Sequence, residues 1–308
     1  MAPIAPVLSR LSQHMQSAAL WSVIGLLRSV GPQYASTAGG WLMRNVGMRL
    51  RATRIADRNL QLALPDLSLP ERQQIIRDVW TNLGQNVTEL PHLASFTRTE
   101  MGPGWEIEGE EHIDALKENG SQALFFSGHL GNWELILPIA TSLGMPGAGF
   151  YRASSNPVID LVTQTMRQKA LGPTGTMFPK GPKGARQALT HLQSGGSLGF
   201  LVDQKMNDGL AIPFLGRDAM TAPAVAQLAL RFNLPIIPVH IVRLGNGRFR
   251  MVCEAPLQAE RTGDRHADIR SICVAMNETL ERWIRERPGA WLWLHRRWPK
   301  EQVALPAI

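Results

Sequence analysis

Residues 122–143 read QALFFSGHLGNWELILPIATSL. The opening five are a short apolar run, fit for a buried strand. Residues 132–143 read as a helix, with Asn132 as its candidate N-cap. Between them lies a turn that carries His129. In open α/β sheets the carboxyl ends of strands are where ligands bind, so strand, turn and helix together point to an α/β fold with a site at this turn. His129 and Glu134 are five apart. On one continuous helix that spacing would set them about 140° apart, at ~3.6 residues per turn. With His129 in the turn and Glu134 in the first helical turn they can meet, and Gly128 and Gly131 let the backbone bend there. Glu134 would also sit at the positive end of the helix dipole.

A histidine held by a carboxylate is an arrangement for general-base catalysis, because the carboxylate fixes the tautomer and stabilises the imidazolium. The bland alternatives are a satisfied structural histidine or half a metal site. HExxH is absent, and no cluster of further ligands accompanies the pair.

Outward from this stretch, strands and helices alternate. Strands are expected at 105–109, 198–202, 235–241 and 248–254, and helices at 110–119, 156–169, 184–192, 222–232 and 265–286. Such alternation implies a central mixed sheet with helices on both faces. Residues 1–95 read instead as helical. Ser68 and Glu71 form a capping box there with Pro70 in the first turn, and Pro91 closes the segment. The expected organisation is a helical, membrane-associating segment over 1–95 and an α/β domain over 96–308.

The net charge of the 308 residues is +7. Its distribution says more than its size. From Met1 to Ala56 there is no Asp or Glu, while Arg10, Arg28, Arg44, Arg49, Arg51 and Arg54 all lie there. Arginines interleaved with apolar stretches suit anionic lipid. The run 18–27 is too short to span a bilayer, so the start reads as an amphipathic or shallowly inserted anchor. The nine Trp residues also suit a membrane interface. Nucleic-acid binding fits poorly, since there are two Tyr and the Trp residues are scattered. Cys253 and Cys273 sit in no metal or redox pattern and read as small core residues of a chain from a reducing compartment.

Two further signals need weighing. Gly195 to Gly199 matches GxSxG, the serine-hydrolase elbow. The order is wrong, however, because a helix precedes Ser197 and a strand follows. The stretch from Gly172 to Gly184 holds four glycines with Lys180 and Lys183 among them. It suits a phosphate or a sugar carboxylate, or is a plain flexible loop.

His129 and Glu134 resemble the HxxxxE signature of the glycerolipid acyltransferase superfamily. Within it the chain resembles the bacterial lipid A biosynthesis lauroyl/myristoyl acyltransferases over nearly its whole length. The ordered set runs from Arg58-Asn59-Leu60 through Tyr151-Arg152, Asn156-Pro157, Arg167, Asp203-Gln204, Pro213-Phe214, Gly216 and Pro235-Ile236-Ile237-Pro238 to Trp293-Leu294-His295-Arg296-Arg297-Trp298. The resemblance implies a donor chain held as a thioester on acyl carrier protein, and an acceptor hydroxyl on a Kdo-bearing lipid A precursor. It implies the cytoplasmic face of the bacterial inner membrane, with anionic lipid as a partner. His129 would be the general base and Glu134 its partner, with Arg167, or else Arg152, stabilising the oxyanion. Asp203, Asn132, Lys180 and Lys183 are the further candidates for substrate binding. No metal or organic cofactor is implied. The glycerol-phosphate branch is matched only in part, by Phe178-Pro179-Lys180-Gly181, where Lys stands in place of Glu.

Overall fold

The computed structural model describes residues 4–299, with side chains from residue 16 onward, so the side chain of Arg10 lies outside the described residues. Four helices open the chain: α1 (Ile4–Val30), α2 (Pro32–Gly47), α3 (Arg51–Ala63) and α4 (Leu69–Glu89). Gly31, at φ 79°, breaks α1 from α2, and Pro32 starts the next helix with a φ already suited to it. The capping box at the start of α4 is formed, Ser68 N donating to Glu71 Oε2 at 2.7 Å. Helices α2 and α4 pack backbone to backbone. A Cβ added at Gly84 would lie 2.2 Å from Gly39 O, so only glycine allows this approach.

After a 3₁₀ turn (Leu90–Ser95) come β1 (Gly104–Glu108), α5 (Glu110–Glu118) and β2 (Leu124–Ser127). A 3₁₀ turn (Trp133–Leu135) then leads into α6 (Ile136–Ser142), β3 (Gly147–Tyr151), α7 (Pro157–Leu171), β4 (Thr176–Pro179), α8 (Pro182–Gln193) and β5 (Ser197–Leu201). The hairpin β6 (Leu210–Phe214) and β7 (Arg217–Thr221) precedes α9 (Ala224–Phe232), β8 (Ile236–Gly245), β9 (Arg248–Cys253) and α10 (Arg265–Glu286). The main sheet has seven strands in the order β1-β9-β8-β2-β5-β3-β4. Its pairs are parallel except β8 with β9.

Alternation along the strands divides the core in two. Leu124, Phe126, Ala148, Leu198 and Ile236 face a cluster shared with α3, α4, α8, α9 and α10. Phe125, Ile237, Val239, Phe249 and Met251 face a second cluster with α5 and α6. Cys253 and Cys273 are buried and free, and burial pushes their thiols up to about 12 and about 11.

Several expectations change. Strands β3, β4 and the β6–β7 hairpin were not legible, and β4 lies inside the expected glycine-rich loop. The tryptophans are chiefly core residues: Trp80, Trp105, Trp283, Trp291, Trp293 and Trp298 are buried, whereas Trp21 and Trp41 are exposed. Among the described residues no helix is long and apolar enough to cross a membrane.

Candidate active site

Strand β2 ends at Ser127 and delivers His129 to the carboxyl edge of the sheet. The turn that follows is held from several sides. Gly131 adopts φ 55°, and a Cβ there would meet Ile241 O at 2.2 Å. Its carbonyl accepts from Asn86 Nδ2 (2.6 Å) and Asn82 Nδ2 (3.0 Å), both on α4. From the C-terminal side, Leu292 N donates to His129 O at 3.1 Å. The imidazole is therefore placed by a turn tied to α4 and to the segment after α10.

The partner of His129 is Asp203, at the end of β5. His129 Nδ1 lies 2.7 Å from Asp203 Oδ1, and His129 N donates to Oδ2 at 2.7 Å. Trp291 Nε1 donates to the same Oδ2 at 2.7 Å. Burial pushes the Asp203 carboxyl up. The charge and N–H groups of His129, with the Trp291 indole, outweigh it and hold the carboxyl down at about 2. An ionised Asp203 accepts only, so Nδ1 is the ring nitrogen that donates to it, and whenever the imidazole is neutral the lone pair falls on Nε2. Gln204 Nε2 lies 3.3 Å from that Nε2 and 3.5 Å from His295 Nε2. Burial, and then the neighbouring His129, lower the pKa of His295 against the pull of Asp203.

The pairing expected between His129 and Glu134 is corrected. Both Glu134 oxygens accept from Arg167 on α7, from Nε at 2.8 Å and Nη2 at 2.6 Å. Residues 133–135 form a 3₁₀ turn rather than a regular first α-helical turn. The carboxylate meets α7 there, and the fork of Arg167 matches it bidentately. Burial works against the Arg167 charge, but Glu134 outweighs it and raises the guanidinium pKa. The N-cap expected at Asn132 is also corrected. Asn132 is fully buried, makes no side-chain cap, is not among the residues lining the cavity beside His129, and donates to the buried Glu89 Oε2 at 2.8 Å, so it holds the turn.

His129 opens onto a cavity of about 1050 Å³, at the upper end of the roughly 300–1,000 Å³ of small-molecule sites. Glu134, Arg167, Arg152, Lys180, Gln204 and His295 also line it, among many apolar side chains. Lys183, exposed on α8, is not among the lining residues. Ser197 begins β5, with its Oγ accepting from Ala123 N at 3.1 Å, so the GxSxG stretch is a helix-to-strand turn as expected. Three contributors are not among the site residues expected from the sequence: Trp291, which arrives from the far end of the chain, and His295 and Gln204, which stand in the ordered set of the resemblance without a site role. The adjacency of Gln204 to Asp203 was the available hint.

This arrangement can accept a proton from a hydroxyl at Nε2 and hold the resulting imidazolium against Asp203, beside an apolar cavity edged by cations. Residues 7–300 match a family described as bacterial lipid A biosynthesis acyltransferase. The chain is 25% identical to a lipid A biosynthesis acyltransferase of Haemophilus influenzae over 278 residues, 88% of this chain and 84% of that protein. It is 24% identical to the lipid A biosynthesis lauroyltransferase of Escherichia coli, over 83% of this chain and 82% of that one. It is 23% identical to the myristoyltransferase of the same organism, over 77% and 72%.

Proposed function

Since the chain belongs to the bacterial lipid A biosynthesis acyltransferases, we propose that it moves a fatty acyl chain from acyl carrier protein to a hydroxyl of a Kdo-bearing lipid A precursor, with His129 as general base. The observation that carries this reading is the His129–Asp203 pair, with Nε2 turned to a large apolar cavity. The acceptor hydroxyl gives its proton to Nε2 as its oxygen attacks the thioester carbonyl. The C–O bond forms, the C–S bond breaks, and the proton passes to the departing thiolate. A thioester is already activated, so no covalent enzyme intermediate is needed.

Asp203 takes the orienting role first expected of Glu134. Glu134 is a positioning residue in this scheme: it clamps Arg167 at the cavity wall, where the guanidinium is the donor for the tetrahedral oxyanion. Arg152 and Lys180, exposed and lining the cavity, are suited to phosphate or sugar carboxylate on the acceptor.

Residues 1–95 are read as the membrane-associating part, on the cytoplasmic face of the inner membrane. Arg28, Arg44, Arg49, Arg51 and Arg54 are exposed, and so are Trp21, Val23, Leu26, Tyr34, Trp41 and Leu42. Exposed apolar and cationic side chains interleaved along these helices suit an anionic interface.

The test is transfer of labelled acyl chains from acyl carrier protein to a Kdo-bearing lipid A precursor in detergent, wild type beside His129→Ala, with a glycerol phosphate acceptor as control. Loss of one general base is expected to lower the rate by about 10²–10⁴-fold. No transfer by folded wild type would sink the reading. Equal transfer by the two would remove His129 from the chemistry.

A further inference from the structure

The cavity lining spans both faces of the sheet, and the part on the α6 face, with Leu137, Pro138 and Ala140 on it, is termed its arm. Strands β3 and β5 are built differently on their two faces here. Towards α8 and α9 they present Ala148, Phe150, Leu198 and Phe200. Towards α6 they present Gly147, Gly149, Ser197 and Gly199, all lining the cavity. Strands buried on both faces are usually apolar throughout, and glycine inside a strand weakens it unless something must come close. None of the three glycines has a positive φ, so none is required by the backbone. Two have a packing reason. A Cβ on Gly147 would lie 3.0 Å from Leu137 Cδ1, and one on Gly149 would lie 3.3 Å from Leu137 and Met177. Gly199 has none: its Cβ would meet only Ala148 O, at 3.8 Å.

Gly199 is register-paired with Phe125 of β2, which also lines the arm. Ile113, Met145, Val239 and Met251, buried and apolar, line the cavity on the same face. A buried apolar lining beside a bare strand surface suits a hydrocarbon tail ending in a methyl group. His129, where the carbonyl of such a chain must react, lines the same cavity.

The geometry points to Gly199 as a specificity-determining residue: the arm over β3 and β5 takes the thioester-borne acyl chain, and the absence of a side chain at position 199 sets how long that chain can be. The proposal rests on the acyl-transfer reading above. Each methylene that no longer fits removes about 0.8 kcal/mol of burial, roughly fourfold in affinity or kcat/KM. Gly199→Ala, Gly199→Val and Gly199→Leu form a graded series whose first member meets no close contact.

In the experiment, octanoyl to palmitoyl thioesters of acyl carrier protein compete in one tube, and the products are read by mass spectrometry. Their ratio does not depend on how much of a variant is folded. The preferred chain should shorten stepwise from Ala to Leu, with the longest-to-shorter ratio falling about 15-fold for two excluded methylenes. An unchanged distribution for Gly199→Leu overturns the proposal. Binding of free fatty acids, octanoate to palmitate, is measured by calorimetry on the same full-length proteins. If wild type transfers nothing, the function reading fails, while the binding series still decides this one. Affinity that grows with length in wild type and stops growing earlier in Gly199→Leu supports the arm, and identical length dependence overturns it.

Discussion

At the residue scale, Asp203 decides whether His129 can act as a base. Its two oxygens accept from the His129 ring, the His129 backbone and the Trp291 indole. Asp203→Asn keeps the volume but presents an amide, which allows the opposite imidazole tautomer, with Nε2 protonated and unable to take a proton. By analogy with a serine-hydrolase triad that loses its carboxylate, kcat is expected to fall on the order of 10³–10⁴-fold with KM little changed. Steady-state kinetics with circular dichroism as a folding check tests this. A KM effect at constant kcat would mean that Asp203 serves binding instead. Glu134→Gln is expected to act differently, since it loosens the clamp on Arg167 and leaves the His129 tautomer alone.

At the scale of elements, one buried ion pair joins the N-terminal helices to the turn that carries His129. Glu89 of α4 is fully buried. It accepts from Ser36 Oγ of α2 (2.6 Å), from Asn132 Nδ2 of the turn (2.8 Å), and from Arg243 of β8. Arg243 also donates to Asn86 Oδ1 (2.6 Å), and Asn86 in turn holds Gly131 O. Arg243→Met leaves a buried carboxylate without its cation, which is expected to cost about 3–5 kcal/mol. The pair Glu89→Gln with Arg243→Met should recover most of that, because no lone charge remains. Urea unfolding of the three variants measures both effects. A loss below roughly 1 kcal/mol in the single variant would show that water reaches the pair.

At the scale of the molecule, the exposed arginines of α1 to α3 and their apolar neighbours predict binding to anionic membranes. Polybasic surfaces contribute about 1 kcal/mol per Lys or Arg. Replacing Arg49, Arg51 and Arg54 by Gln should therefore weaken binding to phosphatidylglycerol vesicles on the order of 100-fold. The wild-type protein should also release as salt shortens the Debye length. Co-sedimentation across a salt series is the measurement. Binding unaffected by salt and by the triple variant would assign attachment to the apolar side chains alone, with Trp21→Ala and Trp41→Ala the next variants.

Local chemistry was enough to establish the α/β class, most of the helices, the capping box of α4, and the placing of His129 at the end of a strand. Periodicity, glycine and proline act over a few residues, and a chain shows them directly. The short strands β3, β4 and β6 escaped because Gly147, Gly149, Pro179 and Pro213 interrupt the apolar pattern a strand normally shows, and β7 because Arg217, Asp218 and Thr221 leave it only two apolar residues. Which carboxylate holds His129 was beyond local reading altogether. Glu134 is near in sequence, yet Asp203, 74 residues on, lies at the carboxyl end of the strand beside β2. Parallel pairing brings the ends of neighbouring strands to one edge whatever their separation along the chain. The same fact of packing buried most of the tryptophans and turned Asn132 inward to Glu89. Only the tertiary structure could decide these, because each depends on which surfaces meet once the sheet has closed over its two cores.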